Sequence, residues 1–121
     1  AGELRELLET KVYVGVSAGS MIFSRRLNER TARIMQEDAD LEFVGEDQVS
    51  SPIGLFDWYL KPHLDSPDFP ARDEAWAEHL LATVDFPLYL IDDASAVRVR
   101  GEHGEQIDIV TEGGWRYTEG N

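Results

Sequence analysis

The sequence predicts an α/β fold, and three observations support this prediction. Short apolar runs that are typical of strands alternate with helix-like segments along the first part of the chain. One of these runs ends abruptly in a turn of small residues at positions 17–20, and a segment that can start a helix follows. The last part is rich in strand-forming residues around glycine turns. We therefore expect an α/β sheet with helices on both faces and a β-rich C-terminal tail.

Composition excludes several classes of protein. The chain has 121 residues, so we expect residues 1–121 to form a single domain with a core of its own. Because there is no cysteine, disulfides, a thiolate nucleophile and cysteine-ligated metals are excluded. The formal net charge of −13 disfavours nucleic acid and membrane as partners, and no apolar run is long enough to span a bilayer. The N-terminus does not resemble a signal peptide, and we expect a cytoplasmic protein.

The N-terminal part of the sequence predicts a helix, a strand and a long excursion. Leucines fall at helical spacing within residues 2–9. Residues 11–16 are rich in β-branched and aromatic side chains and predict a buried parallel strand, after which a helix can start at Met21. Residues 28–51 are polar and weakly periodic, so we expect a long excursion with one short strand at 41–44.

The central part predicts a strand, a loop and a helix. Residues 55–60 form an apolar run after a Pro-Ile-Gly turn, and this strand leads into His63. A helix over residues 68–84 follows, with Asp68 as a candidate N-terminal cap and Pro70 in the first turn. One face of this helix carries large apolar residues, which are Trp76, Leu80 and Val84.

The C-terminal part predicts four strands. Residues 88–91 form a short apolar strand that ends in two aspartates. Residues 96–99 and 106–110 flank a Gly-Glu-His-Gly turn and predict a hairpin. Residues 115–117 predict a last edge strand. The carboxyl ends of parallel strands share one edge of a sheet, so we expect functional groups to gather there.

The segment Gly15-Val16-Ser17-Ala18-Gly19 fits a nucleophile elbow. It matches Gly-x-Ser-x-Gly directly after a predicted strand and before a predicted helix. The flanking glycines leave room for a sharp turn with unfavourable backbone angles. Such a turn directs the backbone N–H of Ala18 toward a developing oxyanion. The alternative interpretation is a turn whose small residues serve packing alone.

A serine nucleophile needs a base, and the sequence offers three histidines. His63 follows a predicted strand in a loop, His79 lies inside the predicted helix, and His103 lies at the predicted hairpin tip. Location and elimination both favour His63. The third member should be a carboxylate that fixes the imidazole tautomer. Asp92 and Asp93 both follow a strand, and spacing alone leaves both open.

These segments resemble the dipeptidase E (α-aspartyl dipeptidase) family of serine peptidases. Residues 13–20 (Tyr-Val-Gly-Val-Ser-Ala-Gly-Ser) are similar to its Gly-x-Ser-Ala-Gly elbow, and residues 60–63 (Leu-Lys-Pro-His) to its segment ending in Asn-Pro-His. Residues 65–76 resemble bacterial members. The resemblance covers almost the whole chain. It implies a doubly wound, flavodoxin-like three-layer sandwich of the class I glutamine amidotransferase type, of which this chain corresponds to the nucleophile-bearing C-terminal half.

The resemblance also implies roles for single residues. It implies a Ser-His-acid site without metal or cofactor, and the alignment of the strand at 88–91 places the acid on Asp93. It matches Arg72 to an arginine that binds the substrate's N-terminal aspartate, for which a guanidinium fork is chemically suited. An ordinary surface arginine is the alternative. Asp38 or Asp40 matches a further aspartate that some members carry.

One feature of the resembled family has no counterpart in this sequence. The family has further βα units ahead of the elbow, including a Gly-Gly-Asn strand end that donates an oxyanion-hole N–H. Without such units a central strand edge and an apolar face would be bare. We therefore expect a homo-oligomer or a partner chain that completes the sheet.

Three functions are compatible with these features. The first is a serine peptidase that cleaves short peptides, such as Asp-X dipeptides, through an acyl-enzyme. The second is a cyanophycinase-like peptidase that cleaves aspartyl-arginine polymers. The third is a truncated, non-catalytic relative that acts as an interaction module. A glutamine amidotransferase is disfavoured because the elbow carries Ser17 in place of a cysteine.

Overall fold

The computed structural model of the protein describes most of the chain. The residues it describes are 2–24, 27–28, 33, 48–49, 55–102 and 104–121. Their helical segments are α1 (Gly2–Leu8), a 3-10 helix (Ser17–Met21) and α2 (Glu74–Thr83). Their strands are β1 (Leu27–Asn28), β2 (Gln48–Val49), β3 (Tyr59–Lys61), β4 (Leu88–Ile91), β5 (Ser95–Arg100), β6 (Gln106–Thr111) and β7 (Trp115–Thr118).

Several predicted features lie outside these residues. They are the strand at 41–44, the Pro-Ile-Gly turn at 52–54, the aspartates Asp38 and Asp40, and His103. The two short strands β1 and β2 pair with each other in antiparallel orientation.

A three-stranded sheet in the order β3-β4-β7 positions the candidate site. β3 and β4 run parallel, with Lys61 paired to Leu90, and α2 connects them along the chain. β7 pairs antiparallel with the other edge of β4. The predicted edge strand at the C-terminus is therefore confirmed. Because β3 and β4 are parallel, the loops that follow them leave the same edge of the sheet.

The hydrophobic core forms where α2 packs on the residues of β3 and β4. Ala77 and Leu80 of α2 are fully buried, as are Leu88 and Leu90 of β4, which alternate along the strand and so share one face. Each fully buried leucine contributes about 1.5–3 kcal/mol, so this contact stabilises the β3-α2-β4 unit. The remaining members of the core are Tyr59, Leu64, Val84 and Phe86, with Trp76 packed against them.

Helix α2 starts later than the sequence predicts. Asp73, and not Asp68, is the N-terminal cap, because its carboxylate accepts the Trp76 N–H at 2.9 Å. The chain before it forms turns instead, with the Arg72 N–H bonded to the Phe69 carbonyl at 2.9 Å. The hydrogen bond from the Asp73 cap fixes where the helix starts. The sequence alone does not distinguish Asp73 from Asp68, because both have the same propensity to cap a helix. The strand predicted at 55–60 is likewise shorter, since pairing with β4 begins only at Tyr59.

Residues 11–16 do not form the predicted buried strand. They have no regular secondary structure, and none of the strand pairs within the described residues includes them. Val12, Val14 and Val16 are 91%, 80% and 78% exposed. A β-branched run fixes local conformation, whereas a strand also needs neighbours that supply hydrogen bonds and cover its faces. The expected helix after the elbow is also only a five-residue 3-10 helix.

The C-terminal hairpin is confirmed. β5 and β6 pair antiparallel from Ser95–Thr111 to Arg100–Gln106, around the expected glycine turn. The described residues thus form a mixed α/β structure with small sheets, while the doubly wound three-layer sandwich remains a prediction. No helix in the described part of the chain is both long and apolar enough for a membrane span.

Candidate active site

Ser17 occupies a strained turn directly after residues 11–16. Its φ angle is 54°, in the left-handed region that costs a non-glycine residue roughly 1–2 kcal/mol. The preceding Val16 is extended, and the 3-10 helix starts at Ser17 itself. The Gly19 N–H bonds to the Val16 carbonyl at 3.0 Å, and the Ser20 hydroxyl donates to the Ser17 carbonyl. These bonds hold the sharp bend that the elbow pattern predicts.

Gly15 is required by this bend. A Cβ atom at Gly15 would lie 2.7 Å from the carbonyl carbon of Gly19 and would collide with its oxygen. The neighbouring atoms are backbone and cannot rotate away. The Tyr13 hydroxyl donates to the same Gly19 carbonyl at 2.9 Å and fixes it further. The first glycine of the pattern therefore has a steric function.

His63 reaches Ser17 from the loop after β3. Its φ angle is 68°, so this residue too is held in the left-handed region. The Leu64 N–H donates to the Ile91 carbonyl at 3.0 Å, which ties the loop to the end of β4. The distance from Ser17 Oγ to His63 Nε2 is 2.9 Å. These two residues lie 46 positions apart in sequence and are in hydrogen-bond contact.

Asp93 completes a chain of three side chains. Its Oδ1 lies 2.7 Å from His63 Nδ1. An ionised carboxylate can only accept, so Nδ1 carries the proton and Nε2 is left as the acceptor for the Ser17 hydroxyl. This assignment of the tautomer follows from the bonding pattern. Ser17 is exposed, and the His63 and Asp93 side chains are 21% and 53% exposed, so the site is open to solvent.

The electrostatics keep Asp93 ionised. A hydrogen bond from the Ser66 side chain, followed by the one from His63, lowers the pKa of Asp93 below its usual value, although slight burial and the Asp92 charge oppose this. Ser66 itself is buried, at 4% exposure. Asp93 is therefore a carboxylate at any pH near neutrality, which the donor arrangement of His63 requires.

Asp92 has a different set of contacts. Its carboxylate accepts the Ala94 N–H at 3.0 Å, the Ser95 hydroxyl at 2.6 Å and the Gly114 N–H. Burial raises the pKa of Asp92, but the three hydrogen bonds lower it by more. The residue thus joins the turn after β4 to the turn before β7. The two aspartates, which spacing could not separate, differ completely in their surroundings.

Ala18 and Arg72 lie near this chain of side chains. Ala18 follows Ser17 in the first turn of the 3-10 helix, where N–H groups lack partners within the helix. The Arg72 guanidinium carbon lies 4.2 Å from the centroid of the Phe69 ring, and its Nη1 donates to the Pro62 carbonyl at 3.0 Å. His79, another histidine that the sequence offered as a base, lies exposed on α2.

The sequence analysis missed two residues that contact the site. Ser66 bonds Asp93, and the Phe69 ring stacks on the His63 imidazole with centroids 4.4 Å apart. Neither belongs to a recognisable pattern. Their location in the loop between His63 and α2 was the only available signal. No group of three or more histidine, cysteine or acidic side chains in the described residues is arranged to hold a metal ion.

Serine-type peptidases and related hydrolases have a serine that is hydrogen-bonded to a histidine–aspartate pair and lies on a sharp turn of an α/β structure. The site described above has this arrangement. Within that class, the chain belongs to peptidase family S51, whose family model matches residues 3–107. Comparisons with curated proteins and with solved structures find no match. The family supports a serine-type peptidase, and the assignment to its dipeptidase E branch remains a prediction.

Proposed function

We propose that this protein hydrolyses short peptides, Asp-X dipeptides among them, with Ser17, His63 and Asp93 as a catalytic triad. One observation carries the proposal. The side chains form an unbroken line of hydrogen bonds, 2.9 Å from Ser17 Oγ to His63 Nε2 and 2.7 Å from His63 Nδ1 to Asp93 Oδ1. Both lengths are in the range for proton transfer between a nucleophile, its base and an orienting carboxylate.

The reaction would proceed in two halves. Ser17 Oγ attacks the scissile carbonyl while His63 Nε2 takes its proton, and the Asp93 carboxylate stabilises the resulting imidazolium. The backbone N–H of Ala18 supports the negative oxygen of the tetrahedral intermediate. His63 then protonates the leaving amine, which leaves an acyl group on Ser17. Water, deprotonated by His63, attacks this ester and releases the acid.

The preference for an N-terminal aspartate rests on Arg72. A guanidinium binds a carboxylate through two parallel hydrogen bonds, a geometry that a lysine cannot reproduce. Two contacts support this role, since the stack on Phe69 and the bond to the Pro62 carbonyl fix the guanidinium close to His63. A substrate held by its side-chain carboxylate at Arg72 would reach Ser17 with its first peptide bond only, so cleavage would be limited to the N-terminal residue.

The proposal includes association with a second copy or a partner chain. The exposed Val12, Val14 and Val16 precede Ser17 directly and form an apolar strip that a neighbouring strand would cover. Such a neighbour would also be placed to supply a second oxyanion donor. Sedimentation measures this directly: a stable monomer that nevertheless turns over substrate would contradict this part.

Peptide hydrolysis tests the proposal. We expect the purified protein to cleave Asp-Leu faster than β-Asp-Arg and faster than Ala-Leu, and Ser17→Ala to reduce the rate to background. Arg72→Lys is the matched variant for specificity: it should raise KM for Asp-Leu and leave KM for Ala-Leu unchanged. Faster cleavage of β-Asp-Arg would instead identify the cyanophycinase-like function. Equal rates for wild type and Ser17→Ala would refute the triad.

A further inference from the structure

The Phe69 ring packs against two groups of the candidate site, the His63 imidazole and the Arg72 guanidinium. The His63 imidazole and the Phe69 ring lie nearly parallel, with an interplanar angle of 16° and centroids 4.4 Å apart. The Arg72 guanidinium carbon lies 4.2 Å from the same Phe69 centroid. The Phe69 ring therefore contacts both groups at once, and it sets the separation between imidazole and guanidinium.

The imidazole needs support that its hydrogen bonds do not give. The bonds from His63 to Ser17 and to Asp93 both lie at the edge of the ring, at Nε2 and Nδ1. Two in-plane bonds still allow the ring to rock about the line that joins the two partners. Both partners are also exposed, so packing around them restrains them little. A flat contact on the face of the ring is what prevents this rocking.

The loop that carries Phe69 is tied into a fixed shape. The Phe69 N–H bonds to the Ser66 carbonyl at 3.0 Å, and the Asp65 N–H bonds to the Arg72 carbonyl at 2.8 Å. Arg72 Nη1 closes the loop by donating to the carbonyl of Pro62, the residue before His63. The Arg72 guanidinium thus bonds to the backbone beside His63 and also packs on Phe69.

We propose that Phe69 is a positioning residue for His63, held in place by Arg72, and that it fixes the plane in which the imidazole meets both Ser17 and Asp93. The effect on turnover rests on the proposed peptidase function, whereas the effect on the imidazole does not. An aromatic pair contributes about 0.5–1.5 kcal/mol beyond the burial of its area, which corresponds to roughly two- to twelvefold in rate. Phe69 also packs on Arg72, so we expect the effect through His63 to fall on kcat and the effect through Arg72 to fall on KM for Asp-Leu alone.

The experiment compares Phe69→Leu with Phe69→Tyr. Leucine keeps the apolar volume and removes the flat face, while tyrosine keeps the face. We expect kcat for Ala-Leu, a substrate that does not use Arg72, to fall three- to tenfold in Phe69→Leu with KM within twofold, and to recover in Phe69→Tyr. Phe86→Leu, a core substitution away from the site, controls for a general loss of stability and should leave kcat unchanged.

Nitrogen NMR of the His63 ring gives a readout that does not depend on turnover. The wild-type ring should be a single tautomer with the proton on Nδ1, and Phe69→Leu should shift it toward a mixture of both tautomers. If kcat and the tautomer were both unchanged in Phe69→Leu, the positioning role would be overturned. If the wild type lacked peptidase activity, the proposed function would fail, and the tautomer comparison would still decide the role of Phe69.

Discussion

The two adjacent aspartates after β4 allow a sharp test, because the same substitution should have opposite effects at the two positions. We expect Asp93→Asn to reduce kcat/KM and to lower stability by less than Asp92→Asn does. We expect Asp92→Asn to reduce stability and to leave kcat/KM within about twofold, since Asp92 contacts the turns and Asp93 contacts His63. Each variant is the matched control of the other.

The magnitudes follow from the contacts. A hydrogen bond to a charged group contributes about 1.5–3 kcal/mol, and the Asp93 side chain is 53% exposed, which favours the lower end. Since about 1.4 kcal/mol is tenfold in rate, we expect a loss of about 10- to 100-fold. In Asp92→Asn, one oxygen still accepts from Ala94 and Ser95, but the new amide faces the Gly114 N–H. One unsatisfied donor costs about 1–3 kcal/mol.

Steady-state hydrolysis of Asp-Leu and urea unfolding measure the two effects on the same samples. We expect Asp93→Asn to be slow and the more stable of the two variants, and Asp92→Asn to be active and less stable. An inactive Asp92→Asn beside a fully active Asp93→Asn would refute the assignment of the acid. Equal losses of activity in both variants, with equal losses of stability, would refute the separation of roles.

Two further predictions concern the elbow and the acid range. Gly15→Ala should lower the free energy of unfolding, measured in urea, by about 1–3 kcal/mol, because its Cβ would collide with the Gly19 carbonyl. It should also slow acylation of Ser17. A variant as stable as wild type would contradict the geometry of the bend. The hydrogen bonds that lower the pKa of Asp93 stabilise the folded protein above the unfolded pKa of about 3.9, and this contribution is lost as pH falls through the lower folded pKa. In Ser66→Ala, the free energy of unfolding should therefore fall less steeply as the pH is lowered through this range. An unchanged pH dependence of the free energy of unfolding would contradict the Ser66–Asp93 bond.

Local patterns in the sequence predicted the parts of the fold that local chemistry determines. The hairpin of β5 and β6 and the strand β4 follow from alternation and turn residues and match the structure. The bend at Ser17 also followed from its neighbours, since glycine at position 15 is needed where a side chain would meet backbone. The structure brings His63 and Asp93 together because β3 and β4 are parallel, which the alternation of elements indicates. Ser17 meets His63 from the turn that starts the 3-10 helix.

What the sequence could not predict depends on contacts between distant residues. The valine-rich run at 11–16 has the composition of a buried strand, yet burial depends on what lies beside it. Asp92 and Asp93 are chemically identical and adjacent, and their partners distinguish them: Ser95 and Gly114 donate to Asp92, whereas His63 contacts Asp93. The stack of Phe69 on His63 arises from a loop whose turns carry no repeating pattern. In each case the structure depends on a contact with a residue that no local sequence pattern identifies.

Covalent labelling with a fluorophosphonate would show whether Ser17 is an activated nucleophile, because the probe reacts with a serine that a neighbouring base has activated. Under native conditions, the account predicts one adduct, mapped by mass spectrometry to Ser17, which is absent in Ser17→Ala and much slower to form in His63→Ala. Folded wild-type protein that remains unlabelled, or that carries its label on another residue, would contradict it.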